Sequence, residues 1–453
     1  MIHRMRCAIG VALGVLLASA WPVHGQADID PRLTRLVADV SEERLGALLQ
    51  RLVSFETRHT SSDPDPTGRG IGAARQWIAD EMRRSSPRLQ VEFDTYRVAA
   101  QGERIFQDVE LRNVVAVLPG RSPRRIYVTA HYDSIARLVN PPDSAGPAGP
   151  GGIHWNAPDA PAPGANDDGS GTVLTMELAR VFAQSGITFD ATLVFVAFAG
   201  EEQGLVGSAL HAARAAEGRL RIDAVFNNDI VGNATGGAGT ANAETVRIFA
   251  DGPEDSPSRQ LARHVRKVAA RYVPGHRVEL VARRDRFGRA SDHTPFNQHG
   301  FAAVRVTEAN ENYARQHTVE DTIDGVSIPY LARNARVNAA GVATLALAPA
   351  APVITSETGA PLLARGPSGY DAQLRWQPSP GAAAYHVYWR AAWTPDWEFS
   401  LVAGDATGLV LPELSIDDFV FGVSAIGADG HESLVSAYVN PPLPTIAIDT
   451  IPE

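Results

Sequence analysis

The chain has 453 residues, a formal net charge of −10, 44% hydrophobic and 20% charged residues, a globular composition that excludes disordered and collagen-like chains and, at about 150 residues per domain, calls for two or three domains. The acid excess excludes a general nucleic-acid binder, whose phosphate contacts need net basic surface. One cysteine, Cys7, excludes an internal disulfide and any thiolate-built zinc site.

In chain order, His3, Arg4 and Arg6 precede an apolar run from Cys7 to Ala20, followed by small residues. A basic start, short apolar middle and small-residue exit predict a secretory signal peptide over residues 1–25. The run is too short to cross a hydrocarbon layer of about 30 Å as a helix. The expected mature protein is exported, periplasmic or secreted, without a stable membrane anchor.

Apolar residues at helical spacing predict helices over Ser41 to Phe55 and Ile71 to Met82. Strands are predicted at Asn113 to Leu118, Ile126 to Ala130 and Thr192 to Phe198, with helices at Thr172 to Ala183 and Leu205 to Ala216. Further strands are predicted at Ala224 to Asn227, Val246 to Ala250 and Ala302 to Val306. A basic amphipathic helix, Ser258 to Tyr272, precedes the last of these, and an Ala-rich helix from Pro329 to Leu347 closes the region. Strand–helix alternation predicts an α/β domain over residues 40–348, with helices on both faces of a mixed, mainly parallel central sheet. Within it, the Pro/Gly/Ala-rich stretch 139–163 reads as a solvated loop or as a flap whose large apolar residue is Trp155.

Ala348 to Pro352 (APAAP) is a linker by composition, assigned to 349–352. Beyond it, residues 353–445 alternate in and out between turns, as short strands of a small immunoglobulin-like β-sandwich do. LRWQPSPGAAAYHVYWR and FVFGVSAIGADGHES resemble a fibronectin type III domain, in which Trp376 would be the buried strand-B tryptophan. Phe419 stands where that family usually carries a tyrosine.

Chemistry concentrates at the predicted strand ends. His131 and Asp133 lie two apart at the exit of IYVTA, so an extended chain points both the same way and Asp133 can orient the imidazole. GANDDGSG offers Asp167 and Asp168 either as helix N-caps or as ligands. The buried strand TLVFVAF runs into Glu201 and Glu202, whose opposed directions suit two tasks. Asp229 follows AVFNN, and His317 lies in a loop after AAVRV. His131, Asp167, Glu202, Asp229 and His317 match the nitrogen and oxygen preferences of zinc. An odd ligand number suggests one carboxylate shared by two ions roughly 3.5–4 Å apart.

HYDS, GANDDGSG, AGEEQGLVGS, NND and QHTVEDT, in that order, resemble the zinc exopeptidase family of bacterial secreted aminopeptidases, related to glutamate carboxypeptidase and glutaminyl cyclase. RHTSS and SDHTPF are similar to further motifs of that family. The resemblance implies two Zn2+ ions bridged by Asp167, with a cis Asp167–Asp168 peptide. His131 and Asp229 would complete one ion, Glu202 and His317 the other. Glu201 would be the general base, Asp133 the residue orienting His131, and Asp292 a support from behind. Gln316 occupies a position where several such aminopeptidases have a tyrosine, and Tyr313 is the nearest tyrosine here. RRDRFGR reads as solvated charge or as a carboxylate site, Arg289 being its last arginine. The resemblance implies a peptide- or protein-cleaving aminopeptidase. Carboxypeptidase or dipeptidase action, glutaminyl cyclisation on a single zinc, and a non-catalytic receptor are the alternatives.

Overall fold

The structure is a computed structural model and describes residues 29–138, 148 and 152–440. The predicted leader (1–25) and much of the 139–163 loop lie outside the described residues. Two helices come first, α1 (Pro31–Ala38) and α2 (Glu42–Val53). Each is capped by a side chain that accepts a backbone N–H, Asp30 from Arg32 and Ser41 from Arg44. Then follow α3 (Gly70–Ser85), β1 (Gln90–Val98), β2 (Val109–Leu118), β3 (Arg125–His131), α4 (Gly169–Gln184) and β4 (Thr192–Phe198). α5 (Val206–Glu217), β5 (Ile222–Asn228), β6 (Thr245–Ala250), α6 (Pro257–Tyr272) and β7 (Arg277–Val281) come next. α7 (His293–Gln298), β8 (Ala303–Glu308) and α8 (Ile328–Leu347) complete the α/β part.

Eight strands form one mixed sheet in the order β1-β2-β4-β3-β5-β8-β6-β7. Its centre, β4, β3, β5 and β8, is parallel. The flanks join antiparallel, at β1–β2–β4 on one side and β6–β8 on the other. The two-residue period of the strands sets the layers. Ile126, Val128, Leu193, Phe195 and Ala197 face the core built with α1–α4, α6 and α8. Their neighbours Tyr127, Val194, Val196 and Phe198 point the other way, onto Ala212 and Ala215 of α5 and Phe296 of α7.

The C-terminal part contains β9 (Leu363–Arg365), β10 (Ala372–Arg375), β11 (Ala382–Ala391), β12 (Phe399–Gly404), β13 (Gly408–Leu411), β14 (Phe419–Gly427) and β15 (Ser436–Ala437). These make two antiparallel sheets, β13-β10-β9 and β12-β11-β14-β15. Trp376, Tyr385, Val387, Leu411, Phe421 and Tyr438 fill the core they share. Phe419 opens β14 and has no hydroxyl to offer, whereas the Tyr438 hydroxyl donates to Arg375 O at 2.6 Å.

The compositional linker is packed rather than solvated. Ala348 and Ala350 are buried, and Arg124 Nη1 donates to Ala348 O at 2.8 Å. The basic side of α6 receives the C-terminal sheets: Arg266 pairs with Asp396 at 2.5 Å, Lys267 with Glu432 at 2.8 Å, and Gln260 accepts from Trp397 Nε1 at 3.0 Å. Arg390 of β11, itself buried, reaches Asp255 ahead of α6. Among the described residues, no helix is long and apolar enough to cross a membrane.

Candidate metal centre

Parallel strands at the sheet centre bring their carboxyl ends to one edge, where open α/β sheets place their sites. His131 is the last residue of β3 and lies opposite Phe198 at the end of β4. Glu201 and Glu202 follow β4 after a two-residue turn, and Asp229 directly follows β5. Asp167 precedes α4, and His317 comes from the loop after β8.

These residues converge. Asp167 Oδ1 is 3.4 Å from His131 Nε2, and its other oxygen, Oδ2, is 3.1 Å from His317 Nε2. His317 Nε2 is also 3.2 Å from Glu202 Oε2. Two groups result, His131–Asp167–Asp229 and Asp167–Glu202–His317, each with its ligand atoms within 4.8 Å of one another. Asp167 belongs to both. Glu201 lies at the edge, its Oε2 4.0 Å from His131 Nε2.

Buried side chains lock the turns that present these groups. The Asp167–Asp168 peptide is cis. Asp168 caps α4 by accepting from Gly171 N at 2.9 Å, and also accepts from His131 N and Ile230 N, both at 3.2 Å. One carboxylate thereby ties β3, α4 and the exit of β5. Gly171 is needed for close approach: a Cβ there would lie 2.1 Å from Asn228 O. Gly164 has φ +49°, and a Cβ on it would meet Asp167 O at 2.6 Å. Asp321 accepts from the backbone N–H of Asn166 at 3.0 Å and of Asp167 at 2.9 Å. Arg58 is fully buried and donates to three carbonyls, Tyr132 at 2.6 Å, Pro163 at 2.7 Å and Gly164 at 2.8 Å. Burial draws its guanidinium down to about 10. Asp229 is held by Arg305 Nη2 at 3.1 Å and by the Ser291 hydroxyl.

Asp133 acts otherwise than its spacing suggests. His131 Nδ1 makes its hydrogen bond with the main-chain carbonyl of Asp133 at 3.1 Å, and the carboxylate is 3.6 Å away. That carboxylate instead accepts the N–H groups of Glu201 at 3.2 Å and Glu202 at 3.1 Å. Asp292 is buried near the site, its carboxyl pushed up to about 7, chiefly by burial. Tyr313 is 60% exposed and does not line the cleft. Gln316 offers no replacement, since its amide is engaged by Glu311 and Arg289 at 3.2 Å each. Sequence reasoning assigned no role to Arg58, Asp321, Arg305 or Ser291. Arg58, Asp321 and Ser291 stand inside RHTSS, QHTVEDT and SDHTPF, and Arg305 inside the strand AAVRV, but nothing local marks a side chain that clamps distant partners.

Backbone strain gathers at the same place. His317 (φ 54°), Ile230 (φ 59°) and Leu205 (φ 61°) adopt left-handed conformations beside the site. Each costs of order 1–3 kcal/mol and persists where the surroundings over-determine it.

The site is strongly acidic and largely buried. Burial first, then Asp229, Glu202 and Asp292, push the Glu201 carboxyl well above the usual range, against the opposing pull of His131. Glu202 is raised for the same leading reason, and its Oε1 is buried with no partner. Two imidazoles and three carboxylates grouped in this way suit zinc. The cleft above, about 460 Å³, is lined by these groups, by Ile135, Ile153 and Trp155, and by Arg104, Arg286 and Arg289. A larger cavity, about 770 Å³ between α6 and the C-terminal sheets, contains none of the candidate residues.

The mixed α/β fold thus brings two candidate metal-ligand groups to its strand ends, an arrangement compatible with metal-dependent hydrolysis. Residues 113–342 match the model of peptidase family M28. A probable zinc metalloprotease of Leptosphaeria maculans is 36% identical over 440 residues, covering 89% of this chain and 96% of the relative. The fold is similar to that of the Legionella pneumophila LapA aminopeptidase, with TM-score 0.54 and 20% identity over 71% of this chain and 77% of that one. It is also similar to Porphyromonas gingivalis glutaminyl cyclase, with TM-score 0.52 and 18% identity over 67% and 97%. The chain belongs to peptidase family M28, and it is a zinc metallopeptidase acting on peptide or protein substrates.

Proposed function

We propose that the protein is an exported dizinc aminopeptidase. The observation that carries this is the division of Asp167, one oxygen toward His131 and the other toward His317. Under this reading His131, Asp167 and Asp229 hold one zinc, and Asp167, Glu202 and His317 hold the other. Two zinc ions bound there would polarise the scissile carbonyl and lower the pKa of a water molecule. Glu201 takes a proton from the attacking water and returns it to the departing amine. Asp133 keeps Glu201 and Glu202 in register through their backbone N–H groups. The free amino end of a substrate suits a cleft floor rich in carboxylates. A shared ligand set favours this reading over cyclisation on a single zinc. As further parts of the proposal, residues 1–25 direct export and the C-terminal sheets are a fibronectin type III unit.

The test is a metal count together with a panel of peptides free or blocked at either end. Two zinc ions per chain and turnover only of peptides with a free amino end are expected. Glu201→Gln should retain both ions while losing about 10²- to 10⁴-fold in kcat. Turnover restricted to N-blocked peptides would establish the carboxypeptidase alternative instead. One zinc with cyclisation of N-terminal glutamine would establish the cyclase. Undiminished turnover in Glu201→Gln would remove the assigned base.

A further inference from the structure

The cleft has a charge pattern that the hydrolytic groups do not use. Its floor is acidic, one wall is apolar, and exposed arginines from two separate loops reach into it. Arg286 is committed, pairing with Glu311 at 2.8 Å and Asp285 at 3.2 Å. Arg104 and Arg289 have no carboxylate partner among the described residues. The Arg104 guanidinium lies 5.2 Å from the Trp155 ring centroid and touches Glu202 O at 3.5 Å. Arg289 Nη1 donates to Gln316 Oε1 at 3.2 Å, next in sequence to His317. Both cations therefore sit on the Glu202–His317 side of the centre. Ile135, Ile153 and Trp155 form a buried apolar cluster on the wall.

Unpaired guanidinium groups beside a concave site are recognition elements for carboxylates, which they bind with two charge-assisted hydrogen bonds. A volume of about 460 Å³ lies at the small end of the roughly 300–1,000 Å³ typical of small-molecule sites. A ligand matching this pattern carries an ammonium group, an apolar side chain and, one or two residues along, a carboxylate.

Resting on the aminopeptidase reading, we propose that Arg104 and Arg289 form a carboxylate subsite and that the preferred substrates are very short peptides with an anionic end. The carboxylate belongs either to the free C-terminus of a dipeptide or to an acidic second residue. Both arginines are exposed, so their replacement by Gln should leave the fold and the zinc content intact.

The experiment compares Leu-Phe, Leu-Phe amide and Leu-Glu amide as substrates of the zinc-loaded wild type, Arg104→Gln and Arg289→Gln. The same peptides are titrated calorimetrically into zinc-loaded Glu201→Gln with and without each arginine change. Leu-Phe should exceed its amide about tenfold or more in kcat/KM, and the ratio should approach one in the arginine variants. Turnover of Leu-Glu amide above both Leu-Phe and Leu-Phe amide would support the subsite and assign it to an acidic side chain. Equal use of all three peptides by the wild type would overturn the proposal, leaving the arginines as counter-charge to the cluster. A preference that survives both arginine changes would overturn it too. If no peptide is cleaved while calorimetry still shows the arginine-dependent difference, the subsite stands and the aminopeptidase reading falls.

Discussion

Asp167 and Asp168 are neighbours with different tasks, and both meanings of GANDDGSG are realised. Asp168 is the helix cap and tie between strands, whereas Asp167 faces the histidines. Asp167→Asn keeps the shape but removes the charge shared by both groups, so under the proposed two-zinc centre metal analysis should show both ions lost together. Arg58→Met should cost about 2–4 kcal/mol, because three buried carbonyls lose their donor, read as a lowered midpoint of chemical unfolding. It should also lower zinc affinity, since those carbonyls flank Asp133 and precede Asp167. Gly171→Ala should be as damaging, its methyl group falling on Asn228 O and on the Asp168 carboxylate. The ligand candidates were legible in the sequence because strand ends can be read from apolar runs. Their supports were not. Arg58 lies more than seventy residues from its nearest carbonyl partner, and no local pattern encodes such a contact. Asp133 shows the limit of spacing: two-residue periodicity put it near His131, yet its carboxylate serves the N–H groups of the next strand's exit.

At the scale of elements, continuous apolar strands such as β4 announced themselves, and the predicted Thr192–Phe198 matches its bounds. The parts that escaped are short or peripheral. β1 alternates between exposed and half-buried positions, so its pattern carries little hydrophobic contrast, and α1 and α7 have 8 and 6 residues. The antiparallel flanks were also not legible, because an apolar run does not reveal strand direction. The basic helix α6 had no obvious purpose in an acidic protein. Its Arg266 and Lys267 meet Asp396 and Glu432 of the C-terminal sheets. Reversing both charges, Arg266→Glu with Lys267→Glu, should lower the thermal midpoint by several degrees while kcat/KM on a short peptide stays unchanged. Single exposed pairs contribute about 0–1 kcal/mol each, so the reversal, which adds repulsion, is the more sensitive change.

Across the whole molecule, the contact between the two units contains carboxylates whose titration makes it acid-sensitive. Burial alone would raise Glu432, but His386 and Lys267 outweigh it and hold the carboxyl well below its ordinary range. Asp30 behaves alike: burial opposes, Arg32 and His431 prevail, and it is drawn down to about 2. A carboxyl with a depressed folded pKa adds stability that is fully present above its unfolded value near 4. That stability is lost as pH falls through the folded value. The thermal unfolding midpoint should therefore fall steeply between about pH 4 and 2. Glu432→Gln should be less stable at neutral pH and show a flatter acid limb.

The buried Ala348–Ala350 passage holds the chain against the α/β part as it leaves α8, and α6 pairs with the C-terminal sheets. Shortening the gene to end after α8 would consequently not liberate a tidy, minimal enzyme. It would strip the cover from Arg263, which is 8% exposed, and from the cavity beside it, and such a fragment should clump during expression. Anyone wishing to reduce this hydrolase to its smallest working form will have to redesign that bared flank first.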